Sequence, residues 1–276
     1  MASVRKPAVA GLFYPDEARA LRAALGGYLK AAPADVHGSS AAGGGIPGAT
    51  GAPPKAIIVP HAGYVYSGPV AATAYARLAA ARGTVRRVVL LGPAHRVGFH
   101  GLALPDAARF STPLGEIPLD RDALAQLRAL PQVQVLDAAH AREHSLEVHL
   151  PFLQEVLGEF RLVPLVVGEA SPEEVGEVLD LLWGGPETLI VVSSDLSHYH
   201  DYETARRMDR ATSRAIEQLR YEDIGADDAC GRVPVSGLLY VARRRGLRAR
   251  IVDLRNSGDT AGPRDRVVGY GAYVIE

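Results

Sequence analysis

Four apolar runs constrain this chain more than any other feature: AIIVP at 56–60, VRRVVLLGPAH at 85–95, FRLVPLVVG at 160–168 and TLIVVSSDLSH at 188–198. Each is too short for a typical helix, is rich in β-branched residues, and lacks the polar alternation of a strand with one wet face. Such runs must be covered on both sides. The segments between them include helical patterns: PVAATAYARLAAA follows the first, and SPEEVGEVLDLLWGG separates the last two, with Glu174 three residues after Ser171 as in a capping box. Buried strands alternating with helices predict an α/β fold, a single domain with a central, mostly parallel or mixed sheet flanked by helices.

The remaining segments fit around that sheet. After GLFYP, the stretch DEARALRAALGGYLKAA places Leu21, Leu25 and Leu29 at helical spacing, predicting an amphipathic helix that begins near Pro15. Residues 33–54 hold almost no large apolar side chains and many Gly, Ala and Pro, which reads as a flexible loop. Further helices are expected over roughly 203–220 and 234–246. A closing strand pair follows, RARIVDLRNSGD and VVGYGAYVIE, with Tyr270 and Tyr273 as strand residues. All 276 residues are accommodated as one domain, 1–276.

Composition narrows the function. With 47% hydrophobic and 22% charged residues and a formal net charge of -1, the chain has no basic surplus for nucleic acid. No stretch approaches the ~20 apolar residues of a membrane span. MASVRKPAVAGLFYP is interrupted by Pro7, Gly11 and Pro15, unlike a secretory signal, and Cys230 alone can form no internal disulfide. A cytoplasmic protein is expected.

The chemistry is suggested by position. His61 follows IIVP, His95 follows VLLGP, and Asp195 and His198 follow IVVSS, so three strands deliver titratable groups at their carboxyl ends. Ligands of open α/β sheets bind at that edge. A single loop histidine is commonly a solvated turn residue, but several on one rim suit a metal site or an acid–base pocket. EHSLEVHLPF, at 143–152, adds Glu143, His144, Glu147 and His149. Its histidines are five apart, the wrong turn angle for two ligands on one helix face. It reads as a pocket wall or as a structural helix turn with Leu146, Leu150 and Leu153 in the core. Cys230 precedes a helix that Pro234 could start; there it is either a thiol of lowered pKa, able to act as nucleophile or soft ligand, or a small buried hydrophobe. His200 reads as a surface residue.

In chain order, AGLFYP, VPHAGYVYSG, LLGPAH, EHSLEVHLPF, VVSSDLSHY, CGRVPV and YGAYVIE resemble the Memo family, whose bacterial members are labelled AmmeMemoRadiSam system protein B. The resemblance implies a fold like that of class III extradiol dioxygenases. It implies that His61, His95 and Cys230 hold one metal ion, iron(II) or copper with zinc also suited, and that His198 is the catalytic acid or base. Asp195 is then expected either to orient the His198 ring or to cap its turn. Glu143, His144, His149 and Tyr64 are expected around the pocket, and Arg232 could meet an anion. The implied activity is metal-dependent redox chemistry on an unknown small molecule. The alternative is a non-catalytic metal-handling or peptide-binding accessory protein working with AMMECR1-like and radical SAM partners. A metal-free hydrolase built on Cys230 and His198 is a third reading, without a cysteine-hydrolase signature to support it.

Overall fold

The four apolar runs become four adjacent parallel strands. Across the sheet they lie in the order Ala56–Val59, Thr188–Ser193, Arg87–Pro93, Arg161–Val167, with Ile58 opposite Val192 and Leu91 opposite both Val192 and Leu165. This computed structural model describes residues 3–33 and 53–276, so the loop expected at 33–54 lies, apart from its ends, outside the described residues. Every residue of the four strands is buried except Arg87 and Arg161, which stand where the second and third runs enter the sheet. Apolar residues without alternation are therefore matched by burial on both faces.

The sheet is mixed, because its flanks run the other way. Val267–Ile275 pairs antiparallel with Ala56–Val59, Ala249–Asn256 and His198–His200; Leu102–Leu104 is antiparallel to Arg161–Val167 and carries Val133–Val135 in parallel. Among the described residues nine strands result, and Val4–Arg5, Arg109–Thr112 and Gly115–Pro118 form a small second sheet. Tyr270 and Tyr273 lie in the Val267–Ile275 strand and are buried.

The helices lie near their expected places with shifted ends. The first spans Ala18–Ala31 and buries Leu21 and Leu25, while Leu29 is only partly covered. The alanine-rich helix starts at Tyr64, earlier than its composition suggested, and tightens to a 3₁₀ turn over Ala76–Ala81. Asp201 caps the Tyr202–Glu217 helix by accepting from the backbone N–H groups of Glu203 and Thr204. The Arg232–Arg244 helix starts two residues before Pro234, whose missing N–H costs nothing in the first turn. No helix among the described residues is long and apolar enough to cross a membrane.

One buried ion pair ties the N-terminal segment to this framework. Glu147 receives the Arg5 guanidinium, the N–H groups of Ala8 (2.7 Å) and Val9 (2.9 Å), and the Tyr14 hydroxyl (2.6 Å). The turn between Val9 and Tyr14 is thereby held beside the carboxyl ends of the strands, with Phe13 against the ring of His144 at 4.9 Å.

Candidate metal centre

His61 leaves the Ala56–Val59 strand beside Ser193, the last residue of its neighbour. The Ser193 hydroxyl donates to the Ser145 carbonyl at 2.6 Å, because a carbonyl can only accept. Its oxygen then accepts from His61 Nδ1–H (2.6 Å) and from His149 Nε2–H (2.8 Å), and His149 Nδ1 accepts from the Tyr75 hydroxyl (2.9 Å). This chain of donors assigns the His61 tautomer, with the proton on Nδ1 and a bare lone pair on Nε2. Burial first, and then the surrounding imidazoles, hold His61 well below the usual histidine pKa, so it is neutral.

His95 is set in the same way by a carboxylate. Glu143 accepts from the backbone N–H (2.7 Å) and Nδ1–H (2.9 Å) of His95, and from the N–H groups of His144 and Ser145. Burial works against the Glu143 carboxylate, yet the hydrogen bonds from the His95 ring and from the Ser145 and His95 backbone outweigh it and bring the pKa down to about 2. His95 Nε2 is left free, the arrangement by which carboxylates orient metal-binding imidazoles.

Cys230 completes the group. Its Sγ lies 3.3 Å from His61 Nε2, and one atom each of His61, His95 and Cys230 fall within 4.8 Å of one another. A tetrahedral ion with ordinary metal–nitrogen and metal–sulfur lengths separates such donors by about 3.5 Å, so the three residues fit one metal after small movements. A second group, His95, Glu143 and His144, is also close, but Glu143 already receives four N–H groups and has little left to offer an ion.

Of the two readings left open for Cys230, a thiol of lowered pKa is the one overturned. Burial chiefly, then the charge of Asp195, pushes the thiol up, although the Gly231 N–H pulls the other way. Desolvation exceeds what a helix end contributes. Without a metal the thiol keeps its proton, and its near imidazole is His61, not His198, so the cysteine hydrolase reading loses its nucleophile–base pair.

Asp195 also acts differently from either expectation. It neither orients His198 nor caps its own turn: Oδ1 accepts from the His61 backbone N–H at 2.7 Å, and Oδ2 lies 4.0 Å from His61 Nε2. Burial raises its pKa to about 7, against the pull of that N–H and of His95. His198 is instead placed by its backbone, where the Asp209 carboxylate accepts from the Ser197 N–H at 3.0 Å. The His198 ring is partly buried, which lowers its pKa.

A cavity of about 620 Å³ opens beside these groups, lined by His61, His95, His144, Asp195 and His198 together with Phe13, Tyr66, Tyr199, Tyr270, Arg96 and Arg266. Of the expected pocket residues, His144 is in the wall, stacked on His95 at 4.7 Å, and burial brings its pKa to about 4. Glu143 lies beneath His95, and His149 is buried behind Ser193. Tyr64 is buried with its hydroxyl on the Val148 carbonyl; Tyr66, two residues and about 200° round the helix, lines the cavity instead. Arg232 is exposed and does not line it. His200, expected at the surface, is partly buried.

Sequence reasoning missed Ser193, Tyr75 and Asp209. Ser193 stood in the quoted VVSS, but only its place between two imidazoles gives it meaning. Asp209, in mid-helix, carried no local signal.

Similarity to known proteins identifies the family. Residues 5–274 match the family model described as Memo-like protein. A MEMO1 family protein of Saccharolobus solfataricus is 38% identical over 229 residues, covering 78% of this chain and 80% of that one. Another, from Saccharolobus islandicus, is 36% identical over 287 residues (96% and 97% covered), and one from Aquifex aeolicus is 34% identical over 278 (97% of each). The chain belongs to the Memo family.

Proposed function

We propose that the protein binds one iron(II) or copper ion through His61 Nε2, His95 Nε2 and Cys230 Sγ and performs redox chemistry on a small molecule held in the adjoining cavity. The observation that carries this reading is the convergence of two imidazole lone pairs, each fixed by a hydrogen bond on its Nδ1, with one sulfur. A mixed nitrogen–sulfur set is soft enough for copper(I) and also suits iron(II) or zinc; a bound ion would supply a Lewis-acidic and, for iron or copper, redox-active centre. The residues of the chain do the rest. Asp195 holds the His61 backbone, Glu143 holds His95, and His198, neutral because it is partly buried, takes or returns a proton at the substrate.

Metal analysis of protein purified without oxygen tests the assignment. Wild type is expected to carry about one ion per chain, and His61→Ala and Cys230→Ala far less; equal content in all three would refute it. His198→Gln is expected to keep the metal and lose oxygen consumption with a screened set of small molecules.

A second reading has its own support. Among the described residues six large hydrophobics are exposed, and three of them, Leu12, Tyr66 and Tyr199, line the cavity, which suits a docked partner as well as a substrate. Co-purification with an AMMECR1-like or radical SAM protein, without turnover, would favour this accessory role.

A further inference from the structure

We infer that the metal ion reaches and leaves its site through a second cavity, on the Cys230 side, so that loading the site and using it take place from opposite faces. The inference rests on the proposed metal site and goes beyond it by assigning the ion a route and the side chains along it.

The group formed by His61, His95 and Cys230 is a partition between two cavities. His61 and His95 line the larger one; Cys230 lines another, of about 440 Å³, and the two have no lining residue in common. The loop after the Arg87–Pro93 strand runs along the divide, with His95 and Arg96 on one side and Ala94, Gly98 and Phe99 on the other. Cys230 is partly exposed, whereas His61 is only 2% exposed. The sulfur ligand is therefore the one that the second cavity approaches.

Charge distinguishes the cavities as well. A cation entering the larger one passes Arg96 and Arg266. No Lys or Arg lines the second, and Arg232, next to its Val233, lies outside the lining. Its rim carries His100 and Glu169 instead, 3.6 Å apart, with side chains 89% and 85% exposed. A carboxylate so placed raises the local concentration of cations without desolvating them. The walls within are Pro93, Val167, Val233 and Pro234, which offer no side-chain ligand before Cys230. There is room for an ion with several of its waters, each about 30 Å³. The soft sulfur is then the first donor able to hold the ion, and His61 Nε2, 3.3 Å from it, is the next.

The cavity is built by the backbone and is not a gap in loose packing. The Glu169 N–H donates to the Phe99 carbonyl (2.9 Å), the Gly168 N–H to the Gly101 carbonyl (2.9 Å), and the Gly101 N–H to the Glu169 carbonyl (2.7 Å). These two loops approach so closely that a Cβ on Gly168 would stand 2.1 Å from the Phe99 carbonyl oxygen. At Gly98 a Cβ would meet nothing within 4 Å, so a large side chain can be placed there to narrow the cavity without displacing its walls.

Stopped-flow uptake of cobalt(II) by the metal-free, full-length protein tests the route, because a thiolate-to-cobalt charge-transfer band reports the bond to Cys230 directly. Gly98→Phe should slow uptake and chelator-driven loss by at least about tenfold and by the same factor, since a barrier on the route changes both rates and leaves the affinity as it was. Glu169→Gln, at so exposed a position, keeps the fold and should slow uptake severalfold at low salt but not at high salt. Leu12→Trp, which narrows the larger cavity, should change neither rate. Wild-type rates in Gly98→Phe with a native circular dichroism spectrum, wild-type uptake in Glu169→Gln at low salt, or slowing by Leu12→Trp alone would overturn the inference. The metal reading fails separately: a wild type that forms no thiolate band sinks the site and its route together, whereas a band that forms equally fast in every variant sinks the route alone.

Discussion

Ser193 shows how one hydroxyl can set the chemistry of a whole site. It passes its own proton to Ser145 and receives protons from His61 and His149, so the lone pair offered by His61 follows from a residue that touches no ligand itself. Ser193→Ala strands two buried imidazole donors, each costing about 1–3 kcal/mol. The expected outcome is a lower urea midpoint together with a metal affinity reduced by about 10–100-fold, read by competition with a chelator. Unchanged affinity would mean that the tautomer is held by something else. VVSSDLSH was legible as a strand delivering polar groups to a rim, but which serine faced which ring was not, because that depends on His149, 44 positions away.

Elements deliver the ligands, and their packing leaves little room. Gly231 precedes the Arg232–Arg244 helix where that helix meets the end of the Thr188–Ser193 strand; a Cβ there would stand 2.3 Å from the Ser193 carbonyl oxygen and 2.5 Å from the Ser194 side chain. The need for glycine is contact, not a positive φ. Gly231→Ala must move the loop that carries Cys230, with a stability cost of about 1–3 kcal/mol for the overpacking. Loss of bound metal in that variant, with an otherwise native circular dichroism spectrum, is the expected result. The apolar runs made the strands legible, and alanine and leucine spacing made the helices legible. Their ends were less so, since the starts at Tyr64 and Arg232 are fixed by contacts of the preceding loops.

Across the molecule, stability depends on buried polar groups joining segments distant in the chain. Arg5 and Glu147 are almost fully buried, and removing one partner leaves the other charged and unpaired. Arg5→Ala is expected to cost about 3–5 kcal/mol in chemical denaturation. His140, also buried, is held at about 4 chiefly by desolvation, while its Nε2–H donates to the Ala103 carbonyl at 2.9 Å. Its folded pKa lies below its unfolded value near 6.5, so the unfolded chain binds the extra proton and stability falls as pH drops from about 6.5 towards 4. The loss reaches on the order of 3 kcal/mol, and replacement by leucine should flatten that part of a stability–pH profile.

The amino-acid order by itself determined the four buried strands, the helices between them, and the delivery of His61, His95 and His198 to one edge, because hydrophobic run length and backbone chirality act locally. Only the tertiary structure decided that Asp195 serves His61 across 134 positions, that Cys230 meets the same ring across 169, that its thiol is raised, and that Arg232 faces water. Hydrogen bonding and desolvation depend on which atoms lie within a few ångströms, and that distance is created when separate segments pack together.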